Sequence, residues 1–151
     1  MVKIKPSEEL IQLNNKIKDD IRSLQQFTRK RNVLLLEDDD VDTDIFKNVI
    51  NSYNSEISID RARDGKEGLE IIKNKPRNYT HLFVDLKMPI MNGFEFLKAF
   101  NQISFDQKIE VIVISSINNS KDLEYLKKIN QEITFLQKPI NIDKLFKIFS
   151  G

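Results

Sequence analysis

Residues 33–42 read VLLLEDDDVD, an unbroken apolar run that leads directly into four acidic side chains. An apolar run without polar alternation is typical of a strand covered on both faces, as in a parallel sheet. The acids at 37–40 crowd like charges together, and two unit charges about 4 Å apart repel by roughly 4 kcal/mol at an effective dielectric near 20. Water, a helix N-terminus or a metal ion must offset that repulsion.

Outward from this stretch, short apolar runs alternate with amphipathic ones along the rest of the chain. Strands are predicted at VLLL (33–36), EISIDRA (56–62), HLFVDL (81–86), IEVIVIS (109–115) and ITFLQ (133–137). Helices are predicted at 41–53, 64–75, 92–103, 120–129 and 141–149. Five strand–helix pairs predict a doubly wound α/β fold, with a parallel sheet and helices on both faces. In such sheets the ligand site lies at the carboxyl ends of the strands.

The composition fits an ordinary globular protein and excludes several kinds of chemistry. The 151 residues are 40% apolar and 31% charged, and they include no cysteine, which excludes disulfides and cysteine-based zinc sites. The single histidine, His81, argues against a catalytic triad, and we expect it to be structural or solvent-exposed. The net charge of +1 argues against direct nucleic-acid binding. No membrane span or signal peptide is recognisable, so we expect no membrane association and a cytoplasmic location.

Residues 1–31 lie outside the strand–helix pattern and are expected to form an N-terminal amphipathic helical extension. Glu8 and Glu9 suit the first turn of a helix over 7–30, where negative charge is favourable. Five of six successive heptad a and d positions are apolar (Leu10, Leu13, Ile17, Leu24 and Phe27), with Asp20 at the sixth and Ile21 widening the stripe. Such a helix could pack on its own domain, form a short dimerising coiled coil or dock on another protein. A homodimer through helix 7–30 is therefore one candidate.

Polar residues stand at four of the five predicted strand ends. Glu37 and Asp38 follow the first strand, and Asp85 ends the third. Ser115 ends the fourth strand, and Lys138 follows the fifth. Because the carboxyl ends of parallel strands meet at one edge of a sheet, these side chains are expected to surround one small volume.

This set of groups suits magnesium-dependent phosphoryl chemistry. Mg²⁺ takes hard oxygen ligands, typically one or two carboxylates together with waters and phosphate oxygens. A free carboxylate can attack phosphorus and become an acyl phosphate, while a metal ion, a lysine and a hydroxyl stabilise the charge on the transferred group. Each residue alone also has an ordinary interpretation as a solvated acid, a cap or a surface lysine. Asp39 and Asp40 are predicted to be helix-capping residues.

The core from about Asn32 to Ser150 resembles the receiver domain of two-component response regulators. Its most specific stretch is DLKMPIMNGFEFL (85–97), a phosphoacceptor Asp followed by Met-Pro and Asn-Gly turn residues. The acidic pair after VLLL, the Ser after VIVI and the Lys-Pro after FLQ stand at family spacing. The resemblance implies a flavodoxin-like (βα)5 receiver domain over 32–151, with strand order 2-1-3-4-5, preceded by the extension over 1–31.

The resemblance also implies a phosphoacceptor and a metal site. Asp85 would be the phosphorylated nucleophile, in a reaction that depends on Mg²⁺ or Mn²⁺. Asp38 would bind the metal directly and Glu37 mainly through water, with Asp85 and the backbone carbonyl of Lys87 as further ligands. The phosphoryl donor would be a sensor histidine kinase or a histidine phosphotransfer protein.

Further roles are implied for the residues around that acceptor. Lys138 would pair with Asp85 and then with the phosphoryl group, and its bond to Pro139 would be cis. Ser115 would bind a phosphoryl oxygen, and its movement would let Phe135 swing inward. Gly93 would give the loop after the acceptor its tight backbone.

Two more positions and one surface complete the implied assignment. Lys87 and Ile117 would flank the path of an attacking water and tune slow autodephosphorylation. The face formed by residues 116–150 would signal to a downstream partner, whose identity the sequence leaves open.

Other classes of function stay open at this point. A haloacid-dehalogenase-like phosphatase shares the nucleophilic Asp, the Ser and the Lys, but places its nucleophile on the first strand, where Glu37 stands. A Toprim-like nucleotidyl site would need an acid where Lys87 stands. A receiver-like binding module that is never phosphorylated would not need the retained acids, Ser115 and Lys138.

Overall fold

A computed structural model describes residues 5–28, 30–74, 78–116 and 119–150, with only the backbone described at 25–28. The chain divides into two compact units, Met1–Lys30 and Arg31–Gly151. The elements in chain order are α1 (Glu8–Thr28), β1 (Asn32–Leu36), α2 (Asp40–Tyr53), β2 (Ser58–Ala62), α3 (Gly65–Asn74), β3 (His81–Asp85), α4 (Gly93–Phe100), β4 (Glu110–Ser115), α5 (Ser120–Ile129), β5 (Thr134–Gln137) and α6 (Ile142–Phe149). The first unit contributes α1, and the other ten elements belong to the second.

The second unit is built on a five-stranded parallel sheet in the order β2-β1-β3-β4-β5. This confirms the predicted fold class and strand order. The chain reverses its direction of winding between β1 and β3, which lie side by side at the centre with Leu36 opposite Val84. A crevice at that reversal point is where open α/β sheets bind ligands. The register therefore places the acids after β1 beside the end of β3.

Alternation along the strands produces one core layer on each face of the sheet. Leu34, Leu36 and Val84 face one way and pack with residues of α3 and α4, such as Phe96. Val33, Leu35 and Phe83 face the other way and pack with residues of α2 and α6, such as Phe46 and Leu145. Because β1 and β3 are covered on both faces, the continuous apolar runs of the sequence are explained.

Helix α4 is shorter than the sequence pattern predicts. It begins after the cap Asn92 and ends at Phe100, whereas the apolar spacing extends to Ile103. Residues 101–103 form a turn, in which the Ile103 backbone N–H donates to the carbonyl of Phe100 over 3.0 Å. Ile103 still packs against the core from that turn. The apolar spacing therefore predicted its burial correctly, but the prediction that it lies in the helix was wrong.

His81 lies at the edge of the sheet opposite the carboxyl ends. Its ring is buried edge-on against Phe149, with centroids 4.7 Å apart, and its Nδ1 lies 2.8 Å from the Thr80 hydroxyl. This placement agrees with the structural interpretation of the lone histidine. Among the described helices, none is long and apolar enough to cross a membrane.

Candidate functional site

Three carboxylates meet at the carboxyl ends of β1 and β3. Asp85 is the last residue of β3 and is 6% exposed, while Glu37 directly follows β1 and is 1% exposed. Asp38, the next residue, is exposed to solvent. One oxygen from each of the three lies within 4.8 Å of the others. The parallel register thus brings together acids that are nearly fifty positions apart in the sequence.

The ammonium of Lys138 lies among carboxylates and contacts three of them. Its Nζ is 2.7 Å from Glu37 Oε2, 2.7 Å from Asp42 Oδ2 and 3.1 Å from Asp85 Oδ2. The side chain is mostly buried, so solvent screens these ion pairs less than it would at the surface. Asp42 was not among the residues predicted from the sequence. It lies in the first turn of α2 rather than at a strand end, and only the side-chain geometry reveals its contact with Lys138.

Burial and charge shift two pKa values in this cluster in a consistent way. Removal from water raises the pKa of Glu37 from 4.5 to about 7, against the lowering effect of its hydrogen bond with Lys138. Desolvation acts to lower the pKa of Lys138, but its bonds to Asp42 and Glu37 and the charge of Asp85 outweigh this and raise it. Lys138 is therefore positively charged at neutral pH. Glu37 is the acid whose ionised form is disfavoured by burial.

The hydroxyl of Ser115 lies at the end of β4, next to β3. Ser115 is fully buried, and its backbone carbonyl accepts a hydrogen bond from the Lys138 backbone N–H over 2.9 Å. The bond between Lys138 and Pro139 is cis, as the family resemblance implies. Phe135 lies on β5, is partly buried and packs against the core layer that contains Phe96. Ile117, predicted as a tuning residue, lies outside the described residues.

The loop after β3 holds its shape through close backbone packing. The backbone N–H of Lys87 donates to Asp85 Oδ1 over 3.2 Å, while the Lys87 side chain is exposed. A Cβ added at Gly93 would lie 2.8 Å from the Cα of Leu86, so only glycine fits there without displacing backbone. Asn92 caps α4 in a reciprocal capping box with Glu95. The loop thus fixes one oxygen of Asp85 and leaves the other facing Lys138.

The two remaining acids of the opening stretch have different partners. Asp39 is the N-cap of α2, where its side chain accepts from the Asp42 backbone N–H over 2.8 Å. Asp40 begins the helix proper and forms ion pairs with Arg61 at 2.7 Å and Arg63 at 3.6 Å. The hydrogen bond from Arg61 is the main cause of a lowered pKa for Asp40. The predicted capping role thus describes Asp39, while Asp40 is held by side chains of β2 and the loop after it.

The donor set fits a small hard divalent cation. Glu37, Asp38 and Asp85 supply only oxygen ligands, and their spacing lets one ion contact all three. Exposed Asp38 leaves an open side where water or a phosphate oxygen could complete the coordination. A cation there would offset the repulsion among the three carboxylates, in addition to the ion pairs that Lys138 forms with Glu37 and Asp85. The residues present are therefore suited to Mg²⁺ or Mn²⁺.

Comparison with known proteins gives a consistent result over the second unit. The family model of the response regulator receiver domain matches residues 33–150. A two-component response regulator of Oryza sativa subsp. indica, ORR11, is 30% identical over 118 residues, which cover 78% of this chain and 78% of that protein.

Solved structures agree with the sequence comparison. A two-component response regulator from Legionella pneumophila is 31% identical with a TM-score of 0.68, over 80% of this chain and 98% of that one. A CheY-like receiver domain from Methylobacillus flagellatus is 20% identical with a TM-score of 0.65, over 80% of this chain and 97% of that one. At this lower identity the likeness supports the fold alone.

Proposed function

The chain belongs to the response regulator receiver domain family, and from this premise we propose that it accepts a phosphoryl group on Asp85. The observation that carries the proposal is the position of the Asp85 carboxylate. It lies at the end of a central strand, 3.1 Å from the Lys138 ammonium and within reach of two further acids. The proposed donor is the phosphohistidine of a sensor histidine kinase or a histidine phosphotransfer protein.

The proposed reaction is a direct displacement at phosphorus. A carboxylate oxygen of Asp85 attacks the phosphorus atom, and a P–O bond forms as the P–N bond to the donor histidine breaks. The electron pair of the broken bond stays on the imidazole nitrogen, which then takes a proton. Asp85 suits this role because the Lys87 backbone N–H holds one carboxylate oxygen, which limits rotation of the group.

The surrounding residues are proposed to bind and orient the transferred group. Lys138 would exchange its contact with the Asp85 carboxylate for one with the phosphoryl oxygens, and the Ser115 hydroxyl would donate to another of them. Glu37, Asp38, Asp85 and the backbone carbonyl of Lys87 would hold Mg²⁺ or Mn²⁺. When bound, that cation would neutralise charge on the equatorial phosphoryl oxygens.

Phosphorylation is proposed to act as a switch through added charge. The phosphorylated side chain would carry a charge of about −1.5 to −2 in place of the carboxylate's −1, at a site already rich in acids. Ser115 would move toward the new group, and half-buried Phe135 would turn into the space that Ser115 leaves. The face formed by residues 116–150 would then signal to a downstream partner. Residues 117 and 118 of that face lie outside the described residues.

The lifetime of the phosphoryl group and the cellular setting complete the proposal. The exposed Lys87 side chain, together with Ile117, would flank the path of attacking water and slow autodephosphorylation. The domain division, 1–31 and 32–151, and a cytoplasmic location are part of the same proposal. Self-association through helix 7–30 is proposed as well.

Neither the phosphatase nor the unphosphorylated binding module is favoured, because the family match spans nearly all of the second unit.

Intact mass after treatment with a small phosphodonor tests the function. We expect wild-type protein to gain one phosphoryl group with Mg²⁺ but not with a chelator, and Asp85→Asn to gain none. Asp44→Asn, which removes an exposed carboxylate from α2, serves as the matched control and should react like wild type. An adduct of equal yield on Asp85→Asn would contradict the proposal.

The same phosphoprotein tests the finer assignments. Amide hydrogen exchange across residues 115–137 should differ between the phosphorylated and unphosphorylated forms, and identical exchange would reject the switch.

Loss of the phosphoryl group should be faster in Lys87→Ala than in wild type. Unchanged or slower loss would reject the tuning role of Lys87.

A further inference from the structure

Helix α1 carries an exposed apolar stripe. Its 21 residues span about 31 Å at 1.5 Å per residue. Six apolar side chains on it are between 46% and 63% exposed. Ile11 lies about 120° around the helix from Ile17, and the other five form the stripe: Leu10, Leu13, Ile17, Ile21 and Leu24. Most of the stability of a helix in a protein comes from packing of its apolar face, so an apolar stripe of this kind is normally buried against another element.

The stripe has a symmetric spacing about Ile17. Successive members are separated by 3, 4, 4 and 3 positions, so the pattern reads the same from either end. At 100° per residue these five side chains fall within about 80° of the helix circumference, centred on Ile17. Asp20 lies about 60° from that centre, at the edge. The heptad interpretation counts Asp20 among the contact positions. At 100° per residue, Ile21 rather than Asp20 lies within the stripe.

We propose that α1 pairs with α1 of a second copy of this chain, antiparallel and two-fold symmetric about Ile17. Leu10 then lies opposite the partner copy's Leu24, and Leu13 opposite its Ile21. Ile17 lies opposite its own equivalent on the axis. This inference rests on the self-association proposed above and adds its orientation and register.

Charge along the edge of the stripe favours this arrangement. In an antiparallel pair with that axis, equivalent edges of the two helices face each other. Lys16 of one copy then lies about 3 Å along the axis from the level of Asp20 of the other. Side chains lean toward the N-terminus of their own helix, so these two converge while the two Lys16 side chains diverge. The chain's described ion pairs leave both Lys16 and Asp20 without a partner closer than 4.0 Å.

The ends of α1 argue against the parallel alternative. A parallel pair would place Glu9 of both copies at the same level at one end, where their like charges repel. In the antiparallel pair the two Glu9 residues are about 24 Å apart, which is beyond the Debye length of about 8 Å at physiological salt. The antiparallel pair also opposes the two helix macrodipoles rather than aligning them.

A second copy is the occupant that these features select. An arbitrary partner protein would not require the apolar spacing to be symmetric, nor an acid and a base at the same edge on either side of the centre. Both features make the surface complementary to itself under a two-fold axis.

Single cysteines test the register in the full chain, because the protein has no cysteine of its own. Under mild oxidation, Ile17→Cys should form a covalent dimer, and Leu10→Cys alone should not. A mixture of Leu10→Cys and Leu24→Cys should cross-link to the mixed dimer. Strong cross-linking of Leu10→Cys to itself would show a parallel pair and overturn the proposal, as would failure of the Leu10→Cys and Leu24→Cys mixture to cross-link.

Charge reversal tests the edge contact without altering the apolar stripe. In sedimentation equilibrium, Lys16→Asp and Asp20→Lys should each weaken the dimer at least fivefold, and the double variant should recover most of that loss. Asp19→Lys, on the opposite side of α1, is the control and should leave the dimer constant unchanged. Equal effects of Asp19→Lys and Asp20→Lys would refute the proposed contact.

The outcomes separate this inference from the proposals on which it draws. A protein that stays monomeric at all concentrations overturns both the self-association and its register. A dimer that survives Ile17→Asp forms through another surface and overturns the register. Phosphorylation of Asp85 is read by mass in the same samples, and its presence or absence bears on the phosphoacceptor proposal alone.

Discussion

At the scale of single residues, the site is governed by the balance between buried acids and one lysine. Glu37 is almost fully buried, yet its pKa rises only to about 7 because Lys138 lies 2.7 Å away. An isolated buried carboxylate would be far more costly. The same lysine also contacts Asp42 and Asp85, so one cation offsets three negative groups. A site balanced in this way is sensitive to any added charge, as the proposed phosphoryl switch requires.

The raised pKa of Glu37 predicts a pH dependence of folding in metal-free protein. Between pH 4.5 and about 7 the folded state keeps a proton that the unfolded state has lost, so stability from this residue falls as pH rises through that window. The full effect is about 3 kcal/mol at 1.36 kcal/mol per pKa unit. Glu37→Gln should remove it. From pH 4.5 to 7.5, the unfolding free energy of Glu37→Gln should therefore increase relative to that of wild type.

Urea unfolding in a chelating buffer measures that difference. Exposed Asp44→Asn is the control, and its difference from wild type should not change over the same pH range in this direction. A constant difference for Glu37→Gln across the window would contradict the role assigned to its burial.

At the scale of elements, short polar side chains fix the first residues of α2, α4, α5 and α6. Asp39 caps α2, Asn92 caps α4 and Asn119 caps α5, each by accepting from backbone N–H groups of the first turn. Asn141 does the same for α6. These caps decide where each loop ends, and therefore where the strand-end residues point.

Removal of the α2 cap should weaken the fold in proportion to one lost capping bond. Asp39→Ala leaves the Asp42 backbone N–H without its acceptor at 2.8 Å, at an expected cost of about 1 kcal/mol. Asp44→Ala also removes a carboxylate from α2, but one in the helix body. It should be neutral or slightly stabilising because alanine has the higher helix propensity. Chemical denaturation of both variants without metal provides the measurement, and equal stability losses would argue against the capping role.

At the scale of the whole molecule, the parallel sheet converts distant sequence positions into one site. Lys138 and Glu37 are 101 positions apart and Lys138 and Asp85 are 53 apart, yet all three meet at the carboxyl ends of adjacent strands. Contacts of such separation form only when the sheet is complete. A ligand that binds the cluster should therefore stabilise the entire second unit rather than one loop.

Magnesium should raise the stability of the folded protein, and Asp38 should be needed for it. At a concentration ten times its dissociation constant, an ion that binds only the folded state adds about 1.4 kcal/mol. Asp38→Asn should abolish this gain. Since Asp38 is exposed, the substitution should change metal-free stability by less than about 0.5 kcal/mol.

Thermal unfolding with and without Mg²⁺ distinguishes the outcomes. Asp44→Asn should keep the wild-type response, since Asp44 lies outside the carboxylate cluster. A shift that is equal in Asp38→Asn and wild type would show that the ion acts elsewhere on the protein.

Local patterns in the sequence sufficed for the α/β class, the order of the elements and the polar residues at four of the five strand ends. Those features follow from periodicity and from turn chemistry, which act over a few residues and are written locally in the chain. The motif DLKMPIMNGFEFL also sufficed to indicate the family, because its spacing is specific. The apolar spacing wrongly predicted that Ile103 is helical, because a buried residue in the turn after a helix continues the same spacing as one inside it.

How these residues meet depends on tertiary packing. It placed Asp42 on Lys138, buried Glu37 but left Asp38 in water, and gave Asp40 to Arg61 rather than to the helix cap. The physical reason is the same in each case. Charge pairing and desolvation depend on distances across elements far apart in the chain, and those distances are set only when the elements have packed.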